Sequence, residues 1–291
     1  MAFIEVSRIA KSFASSRRAR GATGVRPVLR DVSLSVERGE FVSIVGAMGS
    51  GKSTLLSILA GLTDADSGRL VIDGQTVDGV RRDASFVFQN YSLLPWFTAL
   101  ENVRLAVEAA YPTLSREAQV ARARHALEQV GLGDALDRRP GQLSGGMRQR
   151  VAIARAFATG PEVLFLDEPF GALDALTRAT LQQDLARLCS SAERPVTTVM
   201  ITNSVEEAIL LSDWIVPMWP GPPATLGAPI AVQLARPRSA VQLAHDEDAT
   251  HVRAHVIATL TAALGGRARR MPARVEAGAL APVALASEES R

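Results

Sequence analysis

The segment Gly46-Ala47-Met48-Gly49-Ser50-Gly51-Lys52-Ser53 constrains this chain more than any other. A glycine, four residues and then Gly-Lys-Ser is the spacing of a phosphate-binding loop. It lies between a short apolar run that reads as a strand, Phe41 to Val45, and a helical pattern from Lys52 to Ala60 that ends at Gly61. Glycines let such a loop curl until successive backbone N–H groups converge on one anion, and the helix start adds partial positive charge. On this reading Gly46, Ala47, Met48, Gly49, Ser50, Gly51, Lys52, Ser53 and Thr54 cradle a nucleotide triphosphate. Lys52 pairs with the β- and γ-phosphates, and Ser53 offers its hydroxyl to Mg2+. Lys11 and Lys52 are the only lysines, so one inside a glycine loop is conspicuous. A glycine-rich turn that happened to hold a lysine would give the same string, which makes a second element decisive.

That element is Val163-Leu164-Phe165-Leu166-Asp167-Glu168, four apolar residues ending in two carboxylates. A buried parallel strand would deliver both acids at its C-terminal edge, beside the cradle. Asp167 then helps hold Mg2+ through its water shell, and Glu168 polarises the water that attacks the γ-phosphate.

The rest of the chain reads as β/α. Phe3 to Ile9 and Val28 to Val36 alternate like half-buried strands, with Ala14 to Pro27 as the loop between them. Arg17, Arg18, Arg20 and Arg26 in that loop read as a solvated surface. Ala84 to Phe88 is another strand. Helical spacing then takes over at Thr98 to Ala109, Ser115 to Val130 and Gly146 to Ala158, so residues 89–158 form a helical insertion. Strand, helix and strand return at Val163 to Leu166, Ala175 to Cys189 and Val196 to Thr202, which implies a parallel sheet covered by helices. Residues 1–88 and 159–235 are the expected α/β core, and 236–291 an Ala- and Arg-rich extension with a helix near His251 to Leu264 and a disordered end. Val216 to Ala235 carries no charge and is long enough to span a bilayer, but five prolines break it into a surface turn followed by a short strand.

Composition removes several classes. The formal net charge of +2 gives no excess that would recruit nucleic acid, and Cys189, the single cysteine, leaves neither an intrachain disulfide nor a cysteine metal clip. Residues Met1 to Phe13 lack the apolar run of a signal peptide.

Leu143-Ser144-Gly145-Gly146-Met147-Arg148-Gln149-Arg150, ahead of the helix that follows, resembles the signature motif of ABC ATPases. The resemblance runs from about residue 3 to 225. It implies a P-loop NTPase (RecA-like) core with a mainly parallel sheet, an antiparallel β subdomain and an inserted α-helical subdomain. It also implies that Ser144, Gly145 and Gly146 cap the γ-phosphate of ATP held by a second ABC ATPase subunit. Phe13 stands where an aromatic stacks on adenine, Gln89 where a glutamine links Mg2+ to the helical insertion, and Gly171-Ala172-Leu173-Asp174 where a loop crosses the dimer interface. Gln89 to Trp96, Leu143 to Arg150 with Met147, Leu210 to Asp213 and Gly221-Pro222 look like importers of nitrate, sulfonate and taurine, and within those the first string looks most like the nitrate, nitrite and cyanate members. Such a subunit sits peripherally on the cytoplasmic face of the inner membrane. It is bound there to transmembrane permease subunits, with a periplasmic or lipid-anchored solute-binding protein in the complex, and Tyr91 to Leu100 is the surface on which a permease helix would rest.

One position departs from the family. After Val196 to Thr202 a histidine and an acid are expected, and this chain has Asn203-Ser204. Asparagine is shorter and uncharged, so ATP binding should survive while hydrolysis slows. Either the subunit forms a slow homodimer, or it pairs with a different ATPase subunit whose histidine serves one site. A nucleotide-binding subunit that is catalytically silent and a non-transport ABC ATPase are the competing readings.

Overall fold

The structure, a computed structural model, describes residues 2–14, 24–190 and 195–264. Strands β1 (Ile4–Ala14), β2 (Val25–Val36), β4 (Ser67–Ile72) and β5 (Gln75–Thr76) form an antiparallel sheet in the order β2-β1-β4-β5. The larger sheet contains β3 (Phe41–Val45), β6 (Ala84–Val87), β7 (Val163–Asp167), β8 (Thr197–Thr202) and β9 (Trp214–Trp219). Its neighbours β9-β3-β8-β7-β6 are all parallel. Two short strands, β10 (Thr225–Leu226) and β11 (Ile230–Ala231), close its edge antiparallel to β9.

Residues of the parallel strands alternate between two cores, as period-2 geometry requires when both faces are covered. Val42, Ile44, Val163, Phe165, Val199, Ile201, Val216 and Met218 face helix α1 (Lys52–Leu59) and the antiparallel sheet. Phe41, Val45, Leu164, Leu166, Met200 and Ile215 face the remaining helices. Those are α2 (Ala99–Ala110), α3 (Arg116–Gln129), α4 (Gly145–Phe157), α5 (Ala175–Ser190), α6 (Val205–Leu211), α7 (Ala240–His245) and α8 (Glu247–Leu264). Between β6 and β7 the chain is helical, through α2, α3 and α4. Thr98 starts α2 with a full capping box through Glu101, and Ser115 and Ser144 cap α3 and α4 with their hydroxyls.

Three expectations need correction. The stretch Ala14 to Pro27 is not wholly a loop: β1 and β2 run on to Ala14 and from Val25, with register shifts after Val6 that absorb the irregular spacing. Arg26 lies on β2, while Arg17, Arg18 and Arg20 fall outside the described residues. The proline-rich stretch from Val216 does not begin as a surface turn, because Val216 and Met218 are buried in β9. Pro217 is tolerated within that strand because its side of the backbone faces Gly227, whose N–H donates to the Pro217 carbonyl at 2.7 Å where neither β10 nor β11 pairs. The extension also packs more firmly than its weak periodicity suggests: Leu243, Ala249 and Val256 are buried in the main core, and α8 begins at Glu247, ahead of the expected start near His251. Residues beyond Leu264, where the disordered end was expected, fall outside the described residues.

Candidate functional site

The phosphate loop joins the C-terminal edge of β3 to α1, so its position is set by a buried five-residue strand and a buried helix face. Gly49 and Gly51 take φ of 77° and 95°, left-handed values that side chains rarely adopt. Gly46 has a different constraint: a Cβ there would lie 2.9 Å from the Met218 carbonyl oxygen. Lys52 is 4% exposed. Its ammonium donates to the carbonyls of Gly46 at 2.9 Å and Ala47 at 3.1 Å, and to Asn203 Oδ1 at 2.6 Å. Burial pulls the Lys52 pKa down, opposed by the nearby Glu168 and Asp167 charges.

The two acids at the end of β7 arrive beside this lysine. Ser53 Oγ donates to Asp167 Oδ1 at 3.2 Å. The Asp167 carboxyl is pushed above its ordinary range chiefly by burial, with Glu168 adding to the effect. Glu168 has a φ of 42°, an uncommon conformation for a residue with a side chain, and it turns the carboxylate back over the loop. Glu168 Oε1 accepts from Asn203 Nδ2 at 2.7 Å and lies 3.7 Å from Lys52 Nζ, and Oε2 accepts from Gln89 Nε2 at 3.3 Å. Asn203 therefore bridges the two charges, its carbonyl toward the ammonium and its amide toward the carboxylate.

Of the residues singled out in the sequence, Lys52, Ser53, Gln89, Asp167, Glu168 and Asn203 meet in one place. Ser144, Gly145 and Gly146 do not join them: among the described residues they make no hydrogen bond to that group. Ser144 Oγ instead accepts the Met147 N–H at 3.2 Å at the start of α4. Phe13 also stands apart, 45% exposed near the end of β1, with Lys11 Nζ 5.4 Å from its ring centroid. Its strand pairs with β2, whose Val28 and Leu29 would lie 3.1 Å from a Cβ on Gly51, so the aromatic shares a flank with the loop. Gly171 and Ala172 are exposed and Leu173 is buried, and Asp174 Oδ1 accepts the Thr177 N–H at 3.0 Å, starting α5.

Two arginines of α4 shape the site in ways the motifs do not reveal, Arg155 outside any motif and Arg148 within the signature string. Arg155 on α4 donates to the carbonyls of Tyr91 at 2.9 Å and Ser92 at 2.6 Å, two residues with φ of 63° and 47° that follow Gln89 closely. Arg148 stacks 5.6 Å over the Tyr91 ring. These arginines fasten the glutamine segment to the same helix that carries Ser144 at its start. In the sequence they sit in a helix rich in arginine, where nothing distinguishes a buried guanidinium from a solvated one.

Chemically, this arrangement can cradle a polyphosphate with backbone N–H groups, one buried lysine and a helix start, and can direct a fixed carboxylate toward a water. No helix among the described residues is long and apolar enough to cross a membrane.

Residues 29–171 match the family model described as ABC transporter. The chain is 46% identical over 244 residues to the nitrate import ATP-binding protein NrtD of Synechococcus elongatus, covering 84% of this chain and 86% of that protein. It is 46% identical over 243 residues to the nitrate transport protein NasD of Klebsiella oxytoca, covering 83% of this chain and 92% of that protein. The bicarbonate transport ATP-binding protein CmpC of Synechococcus elongatus is 44% identical over 88% of this chain, which spans only 37% of that longer protein. Among solved structures, the ATP-binding cassette MJ0796, a post-hydrolysis dimer bound to ADP and phosphate, superposes with a TM-score of 0.70 at 31% identity. That match covers 80% of this chain and all of the cassette. The loop, the paired acids, the signature helix and relatives of this identity and coverage agree: the chain belongs to the ATP-binding subunits of ABC transporters.

Proposed function

We propose that this chain is the ATP-hydrolysing subunit of an importer for nitrate or a related small oxyanion. The convergence of Lys52, Ser53, Asp167, Glu168, Gln89 and Asn203 at the carboxyl edge of the parallel sheet is the observation that carries the reading. The relatives named for nitrate and for bicarbonate share a small, planar, singly charged oxyanion as cargo, which supports the substrate class.

In the proposed site, Gly46 to Thr54 wrap the β- and γ-phosphates, and Lys52 exchanges a carbonyl or Asn203 contact for a phosphate oxygen. Ser53 and Asp167 fit a magnesium ion: both present hard oxygen donors 3.2 Å apart, and the raised Asp167 pKa marks a carboxylate that a cation would relieve. Magnesium, when bound, neutralises charge on the phosphate oxygens. Glu168, held from both oxygens by Asn203 and Gln89, takes a proton from the water whose oxygen attacks the γ-phosphorus. The bond between that phosphorus and the bridging oxygen breaks, and ADP leaves with the electron pair. Ser144 to Gly146 contribute to the site of a second subunit, in keeping with the absence of any hydrogen bond from them to this chain's own cluster among the described residues, and Phe13 stacks on the base.

Coupling to transport needs a permease. Trp96 is 63% exposed, packs edge-on to Phe97 and follows the Gln89 segment, which suits contact with a permease helix on the cytoplasmic side of the membrane. Asn203 favours slow turnover, in a homodimer or beside a partner ATPase with a histidine. A solute-binding protein outside the membrane would complete the importer. The test is reconstitution of the co-purified complex in lipid vesicles: ATP-dependent uptake of labelled nitrate, abolished by Lys52→Ala, is expected. ATP hydrolysis accompanied by uptake of bicarbonate and not nitrate would reassign the cargo, and no uptake of either would refute the importer reading.

A further inference from the structure

Helix α6 begins one residue after Ser204 and two after Asn203, so its placement governs the turn that holds the asparagine. Thr202 Oγ1 accepts the Ser204 N–H at 3.0 Å and donates to Glu207 Oε2 at 2.6 Å, while Ser204 Oγ caps the Glu207 N–H at 3.2 Å. These bonds make residues 202–207 one stiff unit around Asn203. The helix has only seven residues, about 10 Å of length, so a shift at its far end reaches its start.

That far end is held from the C-terminal extension. Arg238 donates to the carbonyls of Ile209 at 2.8 Å and Ser212 at 2.7 Å, and also to those of Val232 at 3.1 Å and Leu234 at 2.9 Å. Arg236 donates to the Leu211 carbonyl at 2.8 Å and to Asp213 Oδ1 at 2.8 Å. The last carbonyls of a helix have no partner within it, and cations are favoured there. Burial, with Arg236 nearby, brings the Arg238 pKa down to about 10. A guanidinium buried at that cost, with backbone carbonyls as its hydrogen-bond partners, is a poor choice for filling space and a good one for fixing where those carbonyls lie. Along the same helix, Arg253 of α8 lies 3.8 Å from Glu206.

We propose that Arg238 is a positioning residue for Asn203: the C-terminal extension, through this guanidinium, fixes the far end of α6 and thereby the turn that presents Asn203 to Lys52 and Glu168. The inference rests on the reading of Asn203 and Glu168 as parts of a hydrolytic site. The extension then acts as a handle on turnover, and whatever loosens it slows the site without emptying it.

The test compares the full chain with Arg238→Ala, Arg238→Lys, Asn203→Ala and the double variant Arg238→Ala/Asn203→Ala. Expected for Arg238→Ala is a kcat lowered about tenfold with KM for Mg-ATP changed by less than about twofold, and partial recovery with Lys. In the Asn203→Ala background the same change should move kcat by less than about twofold, because the group being positioned is gone. Amide exchange should quicken across residues 203–211 while that of the phosphate loop stays as it was. An equal loss of kcat in both backgrounds, or exchange that quickens everywhere, would overturn the proposal in favour of general destabilisation. Should Arg238→Ala fail to fold, Arg236→Ala releases the Leu211 carbonyl together with the Asp213 carboxylate, leaves the Ile209 and Ser212 carbonyls held, and is read by the same cycle. A wild-type chain that binds ATP and does not hydrolyse it would defeat the ATPase reading, and the exchange measurement would still decide the positioning.

Discussion

Gly146→Ala is the substitution whose consequence follows most directly from the coordinates. Gly146 is buried in the first turn of α4, and a Cβ built there falls inside 3.0 Å of Thr177 Cγ2, closer than carbon atoms pack. The Thr177 Cβ and Oγ1 would be at 3.6 and 3.7 Å, so the clash is with one methyl group. Thr177 has little room to yield: it is β-branched in the first turn of α5, and its N–H is bonded to Asp174 Oδ1 at 3.0 Å. The start of α4 must therefore move away from α5. Overpacking of this kind costs about 2 kcal/mol, which in a chain of this size lowers the thermal midpoint by roughly 3 °C. Because Ser144 rides on the same turn, ATP hydrolysis should fall while nucleotide affinity, set by the Gly46 to Thr54 loop, stays within about threefold. Calorimetric melting and steady-state ATPase assays read both effects. The decisive control is Thr177→Ser, which removes the methyl and keeps the hydroxyl: in that background Gly146→Ala should recover most of its lost stability. An equal loss in both backgrounds would refute the steric argument.

Three other perturbations have defined outcomes. Asn203→His should raise ATP turnover in the purified complex and give kcat a new acid limb near the ordinary histidine pKa of about 6.5, which the wild type lacks at this position; unchanged turnover would show that Asn203 does not limit the rate. Arg155→Ala strips charge-assisted bonds from the Tyr91 and Ser92 carbonyls and should destabilise the chain by about 2–4 kcal/mol, with faster amide exchange over residues 89–93 in mass spectrometry. Cys189 is buried and desolvation pushes its thiol up to about 12, so at pH 8 it should resist alkylation in the folded chain and react only in denaturant; rapid labelling of native protein would contradict the packing.

The parts of this molecule legible in its sequence are those where one residue type answers one physical demand. Left-handed turns required Gly49 and Gly51, a strand buried on both faces required the run Val163 to Leu166, and helix starts required Ser115 and Ser144. What escaped reading was relational. Pro217 sits in a strand because two short partners leave a gap beside it, and that gap is written about ten residues downstream. The extension after Arg236 looked featureless because its anchors are few: Leu243, Ala249 and Val256 inward, and two arginines that grip carbonyls of α6. Arg155 and Arg238 resemble any other of the many arginines until the backbone they hold is known. Asn203 shows both sides. Its departure from the family's histidine was visible at once, whereas its bridge between Lys52 and Glu168 depends on three chain segments meeting.

The central claim is that Lys52, Ser53, Asp167 and Glu168 form one nucleotide site, and titration calorimetry with Mg-ATP tests it most directly. One nucleotide per chain should bind to the wild type, with affinity weakened about 100-fold or more by Lys52→Ala and little changed by Glu168→Gln. A well-folded wild type that takes up no Mg-ATP, or a Lys52→Ala variant that binds as tightly as the wild type, would contradict the account.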